Sequence, residues 1–296
     1  MLLCLFRDIP LGATTISEEK LEKLTGLLTW YADGLPTGSK FISSFFACKR
    51  KVNKYSKRAE LTEEAQRDLL WWRSLLLVAF AQPQVLAASI SSVRRNLRPD
   101  LFMHTDASSL VGGGAYVSKE EDSEALPDFT STSIRWTVSE IETFQRMGIS
   151  INVLEYFTVV YYVMLWGESF RDIVLHIKCD NTAAVSWIMR NRAKNNIAAE
   201  TLSRIFSLFC LSHNINIICT HIKGVDNQLA DYLSRDLTLA PQDLDEMGRV
   251  EAGEGWNSWP RQNLCRRLLM ICITRSSEMH GQQILKILTA LRSKDI

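Results

Sequence analysis

His221-Ile-Lys-Gly-Val-Asp-Asn227-Gln-Leu-Ala-Asp231-Tyr-Leu-Ser-Arg235 is the stretch whose reading decides the architecture of this 296-residue chain. The apolar residues leading into it predict a strand over 215–221, the Lys-Gly-Val-Asp segment a polar turn, and Gln228 onward a short helix over 228–234. Leu229 and Leu233 of that helix face a core, and Asp231 lies one short turn after Asn227. A strand that hands over to a helix through so short a turn belongs to an α/β arrangement.

Working outward, three more segments place a carboxylate at an element end or on an apolar helix. Phe102-Met-His-Thr-Asp106-Ala-Ser108 reads as a strand over 101–106 ending at Asp106, and the small residues beside it leave room for a metal and a phosphate. Ile173-Val-Leu-His-Ile-Lys-Cys-Asp180 reads as a buried strand over 172–180 that opens a helix through Asn181 and Thr182. Glu155 lies in the apolar helix 152–166 among Val153, Leu154, Tyr156, Phe157, Val159, Val160 and Val163, a poor place for an unpaired charge unless it coordinates something. Each has an ordinary alternative when taken alone: Asp106 as a turn former, Asp180 as a helix N-cap, Glu155 on a polar stripe, Asp231 facing solvent. Together the four carboxylates make an all-oxygen donor set of the kind hard divalent cations take, and they outline a two-metal nuclease site as an expectation.

Between these segments the pattern gives strands over 113–118 and 133–138, an antiparallel meander with the first, then helices over 181–189 and 198–211. The predicted fold is therefore a mixed five-stranded sheet flanked by helices over 99–240. Residues 1–98 read as mainly helical: Leu21, Leu24, Leu27 and Leu28 share one face, and Thr62 caps a helix carrying Leu69, Leu70, Trp72, Leu75, Leu76 and Phe80 that Pro83 closes. Residues 241–296 read as a loop and a helical tail whose apolar spacing over 262–291 suits packing on a core or a partner.

Composition excludes some classes. Formal net charge is only +1, so affinity for nucleic acid must come from local patches. The densest is Lys49, Arg50, Lys51, Lys54, Lys57 and Arg58, expected on a solvent-facing loop or helix end; Arg94, Arg95 and Arg98, and Arg190, Arg192 and Lys194, form smaller ones. Seven cysteines without a C-x-x-C pair point to neither a disulfide framework nor a zinc site, which fits a reducing, intracellular setting. No apolar run approaches the roughly 20 residues of a membrane span, so the chain reads as soluble, with no membrane partner. Oligomeric state is not legible.

Thr105-Asp-Ala-Ser108, Asn152-Val-Leu-Glu155, Asp180-Asn-Thr-Ala-Ala-Val185 and the stretch from His221 to Arg235 together resemble the ribonuclease H domains of retroelement reverse transcriptases, most closely the DIRS-like and related groups. The likeness covers about residues 100–236. Residues 26–41 and 68–73 resemble more weakly the connection between polymerase and ribonuclease H, as a partial remnant of reverse transcriptase. Tyr31-Ala-Asp33-Gly34 has a single Asp and only 30 residues before it, so no polymerase activity is expected.

The resemblance implies a ribonuclease H-like fold and hydrolysis of the RNA strand of RNA/DNA hybrids by two Mg2+ ions roughly 3.5–4 Å apart, for which Mn2+ can substitute. It implies Asp106 bridging both ions, Asp180 on the nucleophile side, Glu155 and Asp231 completing the shells, and His221, ten residues before Asp231, assisting proton transfer or product release. His221 could instead be a strand-end histidine. Asn181, Thr182, Asn227, Lys49, Arg50, Lys51 and Lys54 are the expected substrate-binding residues, and the polymerase part of a reverse transcriptase is a possible partner. Clustered carboxylates further predict raised pKa values until metal arrives. Two alternatives stay open: a truncated or domesticated retroelement fragment that binds nucleic acid or protein without catalysis, and another nuclease or integrase of the same fold.

Overall fold

The structure is a computed structural model that describes residues 6, 8–10, 12–33, 41–81, 98–119, 130–167, 169–190, 193, 196–235, 265–267 and 270–271. The apolar spacing over 262–291 falls almost wholly outside them, as do Pro83, Arg94, Arg95, Arg192 and Lys194. One compact unit takes in the chain through Arg95, and a second begins at Asn96.

In the first unit, β1 (Thr15–Ser17) pairs antiparallel with β2 (Arg58–Glu60), two short strands that the sequence reading did not anticipate. Helices α1 (Glu18–Asp33), α2 (Ser43–Lys49) and α3 (Glu63–Ala81) follow the expected helical pattern. Leu21, Leu24 and Leu28 of α1 are fully buried, and Leu69, Trp71, Trp72 and Leu75 of α3 join them. Phe41 stacks on Trp71 with ring centroids 4.1 Å apart, and the Trp72 indole donates to the Phe41 carbonyl at 2.9 Å. Thr62 caps α3 as expected, accepting from the Ala65 amide at 3.2 Å.

The second unit is built on five strands: β3 (Leu101–Ala107), β4 (Gly112–Ser118), β5 (Thr130–Arg135), β6 (Val174–Cys179) and β7 (Asn216–His221). They lie in the order β5-β4-β3-β6-β7; β4 runs antiparallel to both β3 and β5, while β6 runs parallel to β3 and β7 parallel to β6. This is the mixed five-stranded sheet expected from the sequence. Its helices are α4 (Val138–Met147), α5 (Ile151–Leu165), α6 (Thr182–Arg190), α7 (Ile197–His213) and α8 (Gln228–Arg235).

Two adjacent glycines show how the helices are layered. A Cβ on Gly113 would stand 2.5 Å from Thr158 Oγ1 of α5, and one on Gly114 would stand 2.5 Å from Leu233 Cβ of α8. Successive strand residues point to opposite faces, so α5 and α8 cover opposite sides of the sheet, each pressed against bare backbone. Every residue of α5 from Val153 to Leu165 is buried, since α7 packs over its outer side. That explains why α5 is apolar all round instead of amphipathic.

One expectation needs correction. The third strand runs over 130–135, not 133–138, and the chain then enters a helix, α4, that was not foreseen. Thr137 and Glu140 form a reciprocal capping box that stops the strand and starts the helix, and Gly148 closes it in the left-handed conformation with φ 64°. No helix among the described residues is long and apolar enough to cross a membrane.

Candidate active site

Because β3 and β6 are parallel neighbours, their C-terminal ends open on the same side of the sheet, and Asp106 and Asp180 meet there. Asp106 sits inside β3 at 2% exposure, on the central strand, and the Ser234 hydroxyl of α8 donates to its Oδ2. Burial pushes its carboxyl up to about 6, and the negative charges of Asp180 and Asp231 push the same way against the opposing Ser234 hydrogen bond. Glu155, from the other face, is 3% exposed. Burial, then the charges of Asp106 and Asp180, raise it to about 9. The four predicted carboxylates are therefore brought into one electrostatic neighbourhood, from two strand ends and two helices.

Asp180 is half-buried beyond β6, and its Oδ2 lies 3.2 Å from where a Cβ on Gly224 would be. The alternative of Asp180 as a helix cap is excluded by its neighbour. Asn181 Oδ1 accepts from the Ala184 amide at 3.0 Å and so caps α6, while Asn181 Nδ2 donates to Asn152 Oδ1 at 2.8 Å. Thr182 is exposed at the first turn of α6. Asp231 is half-buried on α8 and ion-paired with Arg235 at 2.7 Å.

His221 ends β7 opposite Cys179 and is exposed, with Nε2 3.0 Å from the Asp180 carbonyl oxygen. Asn227 is 1% exposed, and its Nδ2 donates to the Thr105 carbonyl at 2.9 Å, which ties the turn before α8 to β3. Lys49, Arg50, Lys51 and Lys54 belong to the first unit: Lys49 ends α2 and pairs with Glu22 at 3.1 Å, and the other three are exposed in the turn that follows.

Glu155, Cys179 and Asp180 offer ligand atoms all within 4.8 Å of one another. The Cys179 thiol is a soft donor, and burial and then the charge of Glu155 push it well above its usual range. The hard donors at the site are carboxyl oxygens, which fit a divalent cation such as Mg2+. Cys179 acts instead as a hydrogen-bond donor to Glu155 Oε2 at 3.9 Å. The sequence reading missed Ser234, Cys179 and Asn152; each acts through a partner far along the chain, which no local pattern reveals.

No protein-family model matches the chain, and no curated protein does. Among solved structures, the chain is similar to LC11-RNase H1, isolated from compost by a metagenomic approach. Its crystal structure in complex with an RNA/DNA hybrid compares at TM-score 0.32 and 17% identity, covering 50% of this chain and 98% of that one. A second structure of that protein gives TM-score 0.32, 18% identity, and 51% and 99% coverage.

Proposed function

We propose that this chain is a ribonuclease H of the retroelement type, hydrolysing the RNA strand of RNA/DNA hybrids with two Mg2+ ions held by Asp106, Glu155, Asp180 and Asp231. One observation carries the reading: Asp180 and Asp231 both repel the buried Asp106, and Asp106 and Asp180 both repel the buried Glu155. Repulsion of this kind destabilises the metal-free fold and is relieved by cations. When bound, such ions activate water and stabilise the leaving oxygen. The carboxylates would orient them, and His221, exposed and within hydrogen-bond distance of the Asp180 carbonyl, would move a proton or help product leave. Asn181 and Thr182 at the start of α6 suit contacts to phosphate. Recognition of the hybrid would rest on phosphates and 2′-hydroxyls, with little base readout.

The deciding experiment supplies a labelled RNA/DNA hybrid with Mg2+, beside duplex DNA and single-stranded RNA. Cutting confined to the RNA strand of the hybrid is expected. Folded protein that binds the hybrid without cutting would instead establish a non-catalytic fragment.

The basic turn gives a second prediction. Lys57 pairs with Glu18 at 3.4 Å and Lys49 with Glu22, so Arg50, Lys51 and Lys54 are the cations to reverse. Replacing all three with Glu is expected to weaken hybrid binding and to flatten its dependence on salt, by roughly one unit of log–log slope for each phosphate that is no longer neutralised. Anisotropy titrations across salt concentrations measure this, and an unchanged slope would remove the turn from the binding surface.

A further inference from the structure

Asp106 of β3 pairs directly with Gly114 of β4, so the two share a face of the sheet. Gly114 carries no side chain at the place where α8 rests: a Cβ there would lie 2.5 Å from Leu233 Cβ, 2.7 Å from the Leu233 carbonyl carbon and 2.7 Å from the Ser234 amide nitrogen. Two of those three atoms are backbone, which cannot swing aside. The last turn of α8 therefore lies against the strand only because residue 114 is glycine. At that depth Ser234, 0% exposed, reaches Asp106 Oδ2 with its hydroxyl, while the same hydroxyl oxygen lies 2.9 Å from the Asp231 carbonyl.

A hydroxyl has one proton to give, and a carboxylate is a stronger acceptor than a peptide carbonyl. The proton goes to Asp106. Nothing in the helix itself needs the Ser234 side chain, since alanine is the better helix former. The hydrogen bond thus serves the carboxylate, and it joins the central strand to the helix that carries Asp231.

Building on the nuclease reading above, we propose that Ser234, seated by Gly114, is a positioning residue that fixes the orientation of the Asp106 carboxylate relative to Asp231 and so presents a preformed oxygen set to divalent cations. Groups that orient metal ligands typically change metal affinity or activity 10–100-fold when removed. The chain with Ser234→Ala is accordingly expected to bind Mn2+ about 10-fold or more weakly, with a comparable fall in kcat on the hybrid. The KM for hybrid should stay as in the wild type.

Calorimetric titration of the full chain with Mn2+ alone tests this without cleavage. Should Ser234→Ala lower the melting temperature, Ser234→Cys, which keeps the shape but is a weak donor, is read in its place. Equal Mn2+ affinity in variant and wild type overturns the inference and leaves the nuclease reading standing. A wild type that binds Mn2+ without cutting the hybrid overturns the nuclease reading, and the metal titration still decides the role of Ser234. A wild type that binds no Mn2+ overturns both.

Discussion

Asp106→Asn is expected to slow cleavage of the hybrid about a thousand-fold while leaving the fold intact. The central carboxylate contributes charge to the cation set, and metal-borne stabilisation of a phosphoryl transition state is worth several kcal/mol, which corresponds to roughly three powers of ten in rate. Asparagine keeps the shape of aspartate and an oxygen that can still accept from Ser234. It removes a charge that burial, Asp180 and Asp231 all disfavour, so the metal-free variant should melt no lower than the wild type. Single-turnover cleavage of labelled hybrid, read beside circular dichroism and thermal melting, measures both halves. A folded variant cutting within tenfold of the wild type would take Asp106 out of the chemistry.

Much of this candidate site can be read only from the four segments taken together and in order, because each carboxylate alone has an ordinary alternative. The stretch 221–235 folds as its pattern demands: β7 ends at His221, a 3-10 turn spans Gly224–Asp226 and α8 starts at Gln228. Thr137-Val-Ser-Glu140 was equally legible as a capping box, yet Trp136 and the β-branched residues around it invite an extended reading, and local propensity is the weaker guide there. The strands β1 and β2 are three residues each, too short for any alternation to show. Ser234 on Asp106 spans 128 residues, and Asn227 on the Thr105 carbonyl spans 122. Interactions of that range follow from strand order and from the absence of a side chain at Gly114, neither of which a linear pattern encodes.

Glu155→Gln should stabilise the metal-free chain, and the gain should grow with pH. The unfolded chain ionises this carboxyl near 4.5, the folded chain only at about 9. Between those values the folded state holds a proton that the unfolded state has lost, so wild-type stability falls as pH rises through that window and levels off above it. At pH 7 the difference spans 7 − 4.5 = 2.5 pH units, or about 3 kcal/mol. Glutamine removes the charge and keeps the size, so the variant should match the wild type near pH 4.5 and surpass it by about 3 kcal/mol at pH 7. Asp106, raised from 3.8 to about 6, adds a slope of the same sign over its own narrower range in the wild type. Added Mg2+ should stabilise the wild type more than the variant, because cation binding to the folded state alone raises stability by mass action and the variant lacks one anionic ligand. Melting in chelator and in Mg2+ at pH 5, 7 and 9 separates these effects. A gap between variant and wild type that stays constant from pH 5 to 9 would mean that Glu155 is not held protonated by burial, and the crowding of carboxylates behind the two-metal reading would lose its physical basis.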